Sequence, residues 1–358
     1  MGAKHQMTLR LPWRKWPKWA YAAAVNAALE TLMLAFAGDG ALPVPATALF
    51  LGAQAHPALA RWPQVCGWQP LRPLAAAWDR AGLERLEQPA GRYPLVLVLP
   101  GKSRDETLAW FALARELLEP GGRLLVAMPN TAGAARFEKA LANACGHVAS
   151  IQKHKCRAFH GVEDGHWNEE VFAGWRTLGA RRVIPDTHFA VEAGMFSVDH
   201  IDPGSALLAD HLPANLRGEV ADLGAGWGFL ADAVLRRCPK VARIDLFEAD
   251  ARALACARAN LAGHPQDIHF HWHDVCEGLA GCYDAIVMNP PFHTGQATNV
   301  DLGRAFLKAA VAALKRGGKL YLVANRQLAY EAVLEASGLV WHNAGEDKTY
   351  KLLFAERR

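Results

Sequence analysis

A short apolar strand runs directly into three closely spaced glycines in the stretch Gly218-Glu219-Val220-Ala221-Asp222-Leu223-Gly224-Ala225-Gly226-Trp227-Gly228. A helical pattern, Phe229 to Arg237, follows the last glycine. Glycine lets a turn bring its backbone close to a ligand, and the first N–H groups of a helix are free to donate to that ligand. We therefore predict a cofactor-binding loop at this strand end. Its predicted cofactor-binding residues are Asp222, Gly224, Gly226 and Gly228.

Acidic residues end the next two strand-like runs. The run from Val241 to Phe247 leads to Glu248, which follows the loop by about twenty residues, where a carboxylate accepts bonds from both ribose hydroxyls of a nucleotide. The run that starts at Ile268 ends at Asp274, which could accept a hydrogen bond from an adenine amino group. A dinucleotide-dependent enzyme would look similar up to this point. Glu248 could also be only the first acid of the helix predicted at 249–261.

Three histidines alternate along that third strand, at His269, His271 and His273. Alternation places them on one face of the strand, as a metal site would require. We find no acidic or cysteine partner clustered with them, so no metal is expected. The seven cysteines form no C-x-x-C pair, which argues against a disulfide framework or a zinc cluster and favours a reducing cytoplasm.

The apolar run from Tyr283 to Met288 ends in Asn289-Pro290-Pro291-Phe292. A conjugated amine is a poor nucleophile because its lone pair is spread into the ring. The Asn289 side-chain oxygen and the Pro290 carbonyl can each accept one N–H and turn that lone pair toward a methyl donor, while Phe292 stacks on the ring. We therefore predict direct in-line methyl transfer from S-adenosylmethionine, with water taking the final proton. The predicted catalytic residues are Asn289, Pro290 and Phe292, and Asn289 should also contact the cofactor.

The first half of the chain repeats this order of elements. An apolar strand at 93–100 precedes a helical pattern from Glu106 to Leu118, then a Gly-Gly turn and a second strand. The second half has the same order from Tyr283 to Asn325. Each copy is typical of a parallel α/β sheet. We predict an α/β fold with two tandem Rossmann-like methyltransferase domains, produced by duplication, at residues 1–160 and 183–358.

The two copies differ where a cofactor would bind. Leu99 stands where the second copy has Asn289, and three loop positions differ as well: Phe50 replaces Asp222, Gln54 replaces Gly226 and His56 replaces Gly228. The N-terminal domain has lost the close backbone approach that glycine allows. It is predicted to be degenerate, to bind no cofactor, and to steady the second domain or hold a large substrate.

The charge of the chain is uneven. The formal net charge is only +4 over 358 residues, yet the first acidic residue, Glu30, follows a basic, tryptophan-rich segment at 10–19. That segment could grip phosphates and stack on bases, or it could be a solvated terminus. No apolar run is long enough to span a bilayer, so no membrane partner is expected, and the stretch from Tyr21 to Phe36 is predicted to be a helix of the folded protein.

Together these motifs resemble the ribosomal RNA guanine-N2 methyltransferases, the small-subunit methyltransferase C and large-subunit methyltransferase G group. The resemblance covers most of the chain, including the segments 194–197, 201–208, 289–293, 320–325 and 348–353. It implies S-adenosylmethionine as donor, the exocyclic N2 of an rRNA guanine as acceptor, and ribosomal RNA or a ribosomal subunit as partner of a monomeric enzyme. It also implies that Phe196 lies near the cofactor or the flipped base and that Asn289 orients N2. The predicted substrate-binding residues are Phe196, Pro291 and Phe292.

Two departures and several alternatives accompany this resemblance. Trp227 occupies a loop position usually held by a smaller residue, and Ala225 stands where the family often has cysteine. We favour 16S rRNA from the length of the chain, whereas the segments 211–216 and 325–328 favour 23S rRNA. A glutamine-N5 methyltransferase would require a helical release-factor-binding domain, and an adenine-N6 enzyme a sequence-reading insertion. A non-enzymatic rRNA-binding module would be expected to lose Asp222, Glu248 or Asn289.

Overall fold

The computed structural model describes residues 26–291 and 300–358. Phe292 and the basic, tryptophan-rich segment therefore lie outside the described residues. The chain divides into two compact units. The first contains the described residues up to Trp68 together with Ala77–Pro100 and Ala114–Asn168, and the second contains Gln69–Ala76, Gly101–Leu113 and Glu169–Arg358. Among the described residues, no helix has the length and apolar character needed to cross a membrane.

Helices and strands alternate through both halves of the chain. The N-terminal half contains α1 (Ala27–Leu34), β1 (Thr47–Leu51), β2 (Gln64–Trp68), α2 (Arg72–Arg80), β3 (Glu84–Leu86), β4 (Tyr93–Val98), α3 (Arg104–Glu116), β5 (Leu118–Pro129), α4 (Ala134–Cys145), β6 (Ala149–Lys153) and β7 (Cys156–Val162). The C-terminal half contains α5 (Glu169–Leu178), β8 (Arg182–Val183), β9 (Ala190–Val191), α6 (Pro203–His211), β10 (Arg217–Leu223), α7 (Phe229–Arg237), β11 (Lys240–Glu248), α8 (Ala251–Asn260), β12 (Asp267–Trp272), β13 (Tyr283–Met288), α9 (Val300–Ala312), β14 (Leu314–Asn325), α10 (Glu331–Ala336), β15 (Val340–Glu346) and β16 (Tyr350–Glu356).

The two large sheets have the same topology. Each has seven strands, in the orders β3-β2-β1-β4-β5-β7-β6 and β12-β11-β10-β13-β14-β16-β15. The first five strands of each order are parallel, and an antiparallel hairpin completes one edge. A small two-stranded sheet joins β8 to β9. This confirms the predicted α/β fold of two methyltransferase-like sheets related by duplication.

The repeat extends to the register of the strands. Tyr93 pairs with Leu118 and Tyr283 pairs with Leu314, and in both sheets the register shifts immediately afterwards. The Gly-Gly turns match as well, with φ of +77° at Gly121. The equivalent residue, Gly317, has φ of +76°. Such angles are strained for residues with a side chain, so both turns need glycine at this position.

The central strands of the second sheet are buried on both faces. In β13, Ile286 and Met288 pack into one apolar cluster, whereas Ala285 and Val287 pack into the other. Successive strand residues point to opposite faces, so a strand that is covered on both sides reads as a continuous apolar run. This burial holds the carboxyl ends of β10 and β13 in fixed positions beside each other, because the two strands are hydrogen-bonded neighbours.

Element boundaries differ from the sequence-based prediction in three places. The first-half helix is α3, two residues earlier at each end than predicted, and Leu118 opens β5 instead. The helix expected at 249–261 begins later because Asp250 caps it, accepting a hydrogen bond from the Arg252 amide at 2.9 Å. The helix predicted from Tyr21 to Phe36 is α1, which ends two residues earlier, at Leu34, and whose predicted start lies outside the described residues.

Candidate active site

The glycine loop leaves β10 along the end of its neighbour β11. The amides of Gly224 and Ala225 both donate to the Phe247 carbonyl, at 2.9 and 3.1 Å. Gly224 and Gly226 have φ of +73° and +54°, and a side chain added at Gly226 would meet open space. Gly228 is the N-cap of α7, and a Cβ there would lie 3.2 Å from the Cβ of Ala257. Gly226 thus keeps an open backbone surface, whereas a Cβ at Gly224 would lie 3.4 Å from the Phe306 ring and Gly228 lets α7 and α8 approach closely.

Glu248 holds this loop from the end of β11. Its Oε2 accepts a hydrogen bond from the Gly226 amide, and its Oε1 accepts one from the Asp250 amide, both at 2.8 Å. Burial raises the pKa of the Glu248 carboxyl, and these amides oppose the rise. Each carboxylate oxygen keeps a second lone pair for a ligand hydroxyl. The ribose-binding role of Glu248 stays a prediction, and the structure adds a role in shaping the loop.

Asp222, the second-last residue of β10, is fully buried. Neither of its carboxylate oxygens makes a hydrogen bond of good geometry with the part of the chain that the structure describes. Burial raises the pKa of the Asp222 carboxyl to about 8, and the nearby Ala231 amide opposes this only in part. A buried polar group without a partner is costly, so its presence beneath the glycine loop indicates a functional constraint.

Asn289 follows β13 and has a fixed side-chain orientation. Its Nδ2 donates to Asp202 Oδ2 at 2.9 Å and to Ser205 Oγ at 2.8 Å. Asp202 caps α6, where the same oxygen also accepts a hydrogen bond from the Ser205 amide at 2.8 Å. Because a carboxylate only accepts, the nitrogen of the amide must face Asp202. The other atom, Asn289 Oδ1, is buried and has no hydrogen-bond partner among the described residues.

One cleft lies between the glycine loop and Asn289. It brings the loop residues Gly224 and Gly226 together with Asn289 and the side chain of Phe196. Phe196 is 53% exposed. Its carbonyl accepts a hydrogen bond from the indole Nε1 of Trp227 at 2.9 Å. The cleft therefore combines an open glycine loop, an unpaired amide oxygen and an exposed aromatic face.

The remaining predicted residues are placed differently. Asp274 does not line this cleft, and its Oδ1 accepts a hydrogen bond from the Cys276 amide at 2.9 Å. Pro290 is buried and Pro291 is exposed. The roles assigned to Asp274, Pro290 and Pro291 stay predictions. Sequence reasoning missed Asp202 and Ser205 as partners of Asn289, although both lie within a segment that carries the family resemblance.

The histidine pattern had an acidic partner that the sequence did not reveal. Asp245, on the adjacent strand, pairs in register with His269, and its Oδ1 lies 3.3 Å from His271 Nε2. The expectation that no acidic residue joins these histidines was therefore wrong. Asp245 is already engaged, because Arg243 donates to both its oxygens at 3.0 Å and the Tyr283 hydroxyl donates at 2.8 Å. A metal ion would have to compete with the Arg243 guanidinium.

The sequence is similar to those of known methyltransferases. The Methyltransferase small domain family matches residues 186–353. Ribosomal RNA small subunit methyltransferase C of Sodalis glossinidius is 32% identical over 237 residues, which are 66% of this chain and 66% of that protein. The enzyme of the same name from Yersinia enterocolitica is 30% identical over 66% of this chain and 67% of its own length.

A solved structure extends the similarity to both units. The T. thermophilus 16S rRNA N2 G1207 methyltransferase, in complex with AdoMet and guanosine, superposes with a TM-score of 0.76 at 26% identity. The match covers 92% of each chain, and therefore includes the two seven-stranded sheets. The chain belongs to the ribosomal RNA guanine-N2 methyltransferase family.

Proposed function

We propose that this protein transfers the methyl group of S-adenosylmethionine to the exocyclic N2 of a guanine in 16S rRNA. The single observation that carries the proposal is the unpaired, buried Oδ1 of Asn289 in the cleft beside the glycine loop. An acceptor fixed in this way is complementary to an amine N–H. It supports the role that the sequence predicted for this side chain.

The residues of the cleft fit the proposed cofactor. Gly226 leaves open space above the loop, and Glu248 supplies a carboxylate that contacts the Gly226 amide from the end of β11. An acidic acceptor at this position suits the hydroxyl groups of a nucleoside, whereas the buried Asp222 lies beneath the loop. When bound, S-adenosylmethionine supplies an electrophilic methyl group on a sulfonium. The chain itself then has to place an amine nitrogen against that methyl group.

Asn289 performs that placement. Its two N–H bonds are both committed, to Asp202 and Ser205, so the amide cannot rotate to present its nitrogen. The oxygen therefore accepts an N–H of the guanine amine and holds the nitrogen lone pair in one direction. The new N–C bond would form from that lone pair as the bond between the methyl carbon and the sulfonium sulfur breaks, so that the sulfur leaves as a neutral thioether. The methylated amine is strongly acidic and releases its proton to water, so no side chain is needed as a general base.

The exposed ring of Phe196 supplies a stacking surface for the same base. Aromatic side chains bind single-stranded nucleotides by stacking, which needs an exposed face next to the hydrogen-bonding group. Phe196 lines the same cleft as Asn289 and satisfies this condition. The predicted contribution of Phe292 adds a second ring beyond the described residues.

The choice of ribosomal subunit rests on the relatives. The T. thermophilus enzyme is named for 16S rRNA, and the two sequence relatives are small-subunit methyltransferases. These names support 16S rRNA over the 23S alternative. The monomeric state and the cytoplasmic location stay predictions.

Transfer of labelled methyl from S-adenosylmethionine to purified ribosomal subunits tests the proposal. Small and large subunits are prepared from cells that lack guanine-N2 methylation and assayed separately, with subunits that already carry the modification as the control. We expect label on guanine N2 of unmodified small subunits alone. Label confined to large subunits would reassign the substrate to 23S rRNA, and label on neither would contradict the proposal.

A further inference from the structure

Trp227 lies between two glycines of the cofactor loop, yet nothing in the loop's backbone geometry calls for a large ring there. Its side chain is 4% exposed and packs in a separate apolar cluster in the second unit. The ring centroid lies 4.9 Å from that of Phe189. The cluster also contains Ile184, Val191, Met195, Ala253 and Cys256. Trp227 thus connects the loop to the segment around residues 184–195.

The indole N–H extends this connection to the proposed base-stacking residue. Trp227 Nε1 donates to the Phe196 carbonyl at 2.9 Å. Met195 is buried in the cluster, whereas the next side chain, Phe196, is more than half exposed. Ser197 has φ of +51°, and its hydroxyl donates to the His200 carbonyl at 2.6 Å. The chain therefore turns sharply around Phe196, and Trp227 holds the backbone at the turn.

Asn260 anchors both parts to α8. Its Nδ2 donates to the Trp227 carbonyl at 2.8 Å and to the Ala190 carbonyl at 3.0 Å. Its Oδ1 accepts a hydrogen bond from the Ala190 amide at 2.8 Å. The last residue of α8 therefore fixes the cofactor loop and β9, from which the chain continues to Phe196. Asn260 of α8 therefore supports both the cofactor loop and the segment that leads to Phe196.

We propose that Trp227 is a positioning residue that sets the Phe196 ring relative to the cofactor loop through its indole N–H. This inference rests on the proposed function, because it assigns Phe196 to the guanine. Its consequence is specific: without the N–H, the loop should keep its cofactor affinity while the base-stacking ring loses its fixed position. The defect should appear in the kinetics toward RNA and not in cofactor binding.

Trp227→Phe removes the N–H and keeps an aromatic ring in the cluster. Loss of one hydrogen bond predicts a decrease of about five- to tenfold in kcat/KM for unmodified small subunits. The Kd for S-adenosylhomocysteine, measured by calorimetry, should stay within about twofold of the value for the unsubstituted protein, which is about the error of the measurement. Trp78→Phe is the matched control, because Trp78 is also buried and its Nε1 donates to the Glu84 carbonyl at 2.8 Å in the first unit. Its kinetics should be unchanged.

A double-variant cycle decides whether Trp227 acts through Phe196. Phe196→Ala alone should lower kcat/KM by about tenfold or more, from lost stacking. Adding Trp227→Phe to it should cause little further loss. Additive losses, or a loss of cofactor affinity equal to the loss of activity, would overturn the inference. If the unsubstituted protein methylates neither subunit, the proposed function fails. The positioning role of Trp227 is then tested by amide hydrogen exchange at residues 195–198. Faster exchange in Trp227→Phe than in the unsubstituted protein supports the role, and equal exchange overturns it.

Discussion

The two sheets leave their first strands with nearly the same backbone geometry. In the first unit the amides of Gly52 and Ala53 both donate to the Trp68 carbonyl at 3.0 Å. In the second, Gly224 and the following amide donate to the Phe247 carbonyl at 2.9 and 3.1 Å. The φ angles of the two glycines are +70° and +73°. The duplication has therefore preserved the turn itself, and the difference between the units lies in what occupies the space beside it.

Side chains fill the equivalent loop in the first unit. Gln54 Oε1 accepts a hydrogen bond from Asn26 Nδ2 at 2.8 Å, and His56 Nε2 lies 3.2 Å from Glu30 Oε1. Asn26 is the N-cap of α1, the helix that precedes the sheet. In the second unit the equivalent N-cap, Asp202, instead accepts a hydrogen bond from the Asn289 side-chain amide. One capping position thus contacts a loop side chain in one copy and orients the Asn289 side chain in the other.

The largest effect expected from this comparison is at the paired positions Asn289 and Leu99. Asn289→Ala removes the fixed acceptor and should lower kcat by on the order of 10²–10³-fold, as loss of one preorganised hydrogen-bonding group does. Cofactor affinity, measured by calorimetry, should change little. Leu99→Ala should instead destabilise the fold by about 2–4 kcal/mol, because Leu99 is a buried apolar residue, and leave kcat of the folded protein intact. Equal kcat for Asn289→Ala and the unchanged protein would contradict the assignment.

A smaller loss of activity is expected when the support of Asn289 is removed. Asp202→Ala should lower kcat by about tenfold, because the amide is then free to present its nitrogen to the substrate. Asp202→Asn keeps a capping acceptor and should recover α6 stability without recovering full activity. The two variants are compared by thermal unfolding and by methyl transfer. If Asp202→Ala adds its full effect to Asn289→Ala, Asp202 acts independently of the amide.

Asp222 gives a stability effect whose size depends on pH. Its raised pKa means that the folded state binds this proton more tightly than the unfolded state, so the free energy of unfolding falls as pH rises from about 4 toward 8. Asp222→Asn removes the loss of stability that accompanies ionisation of this buried carboxyl. We expect it to raise the Tm by about 2–4 °C at pH 8 and by less at pH 5, while weakening cofactor binding. A variant that is less stable at every pH would show that the ionised carboxylate is stabilised in the folded protein.

The smallest effect is expected from reopening the first loop. Replacing Gln54 and His56 with glycine removes their contacts to Asn26 and Glu30 and should cost about 1–2 kcal/mol of stability. It should not create a second cofactor site, because Phe50 still stands where the second unit has Asp222. Calorimetric titration should give one bound cofactor per chain before and after the change. Two bound cofactors per chain would mean that the side chains of Gln54 and His56 alone prevent the first unit from binding cofactor.

Local sequence patterns were sufficient for the fold and for the strand, glycine turn and helix that form one wall of the cleft. The strand, glycine turn and helix at 218–237 are consecutive in the chain, and α7 has the predicted bounds. The duplication was also predictable, because the strand, helix, Gly-Gly turn and strand of each copy, which begin at the first tyrosine of β4 and of β13, are consecutive in the chain. Contacts across the fold were not predictable: Asp202 and Asn289 are 87 residues apart, and Asp245 meets His271 only because their strands are neighbours. No local period encodes such pairings.

The role proposed for Trp227 could not be predicted from the sequence alone. In the sequence it reads only as a large residue in a loop that usually has a smaller one. Its hydrogen bond to the Phe196 carbonyl spans 31 residues and depends on a turn whose positive φ falls on a serine. A departure from the family pattern therefore corresponds to a contact that is visible only in the folded chain.

The most direct test of the central claim is a crystal structure of the protein with S-adenosylhomocysteine and guanosine. The measurement is the distance from Asn289 Oδ1 to the guanine N2, together with the partners of Asn289 Nδ2. We predict a hydrogen bond of about 3 Å to N2, with Nδ2 still donating to Asp202 and Ser205. A guanine bound with its amine away from Asn289, or an amide turned so that its nitrogen faces the base, would contradict the account.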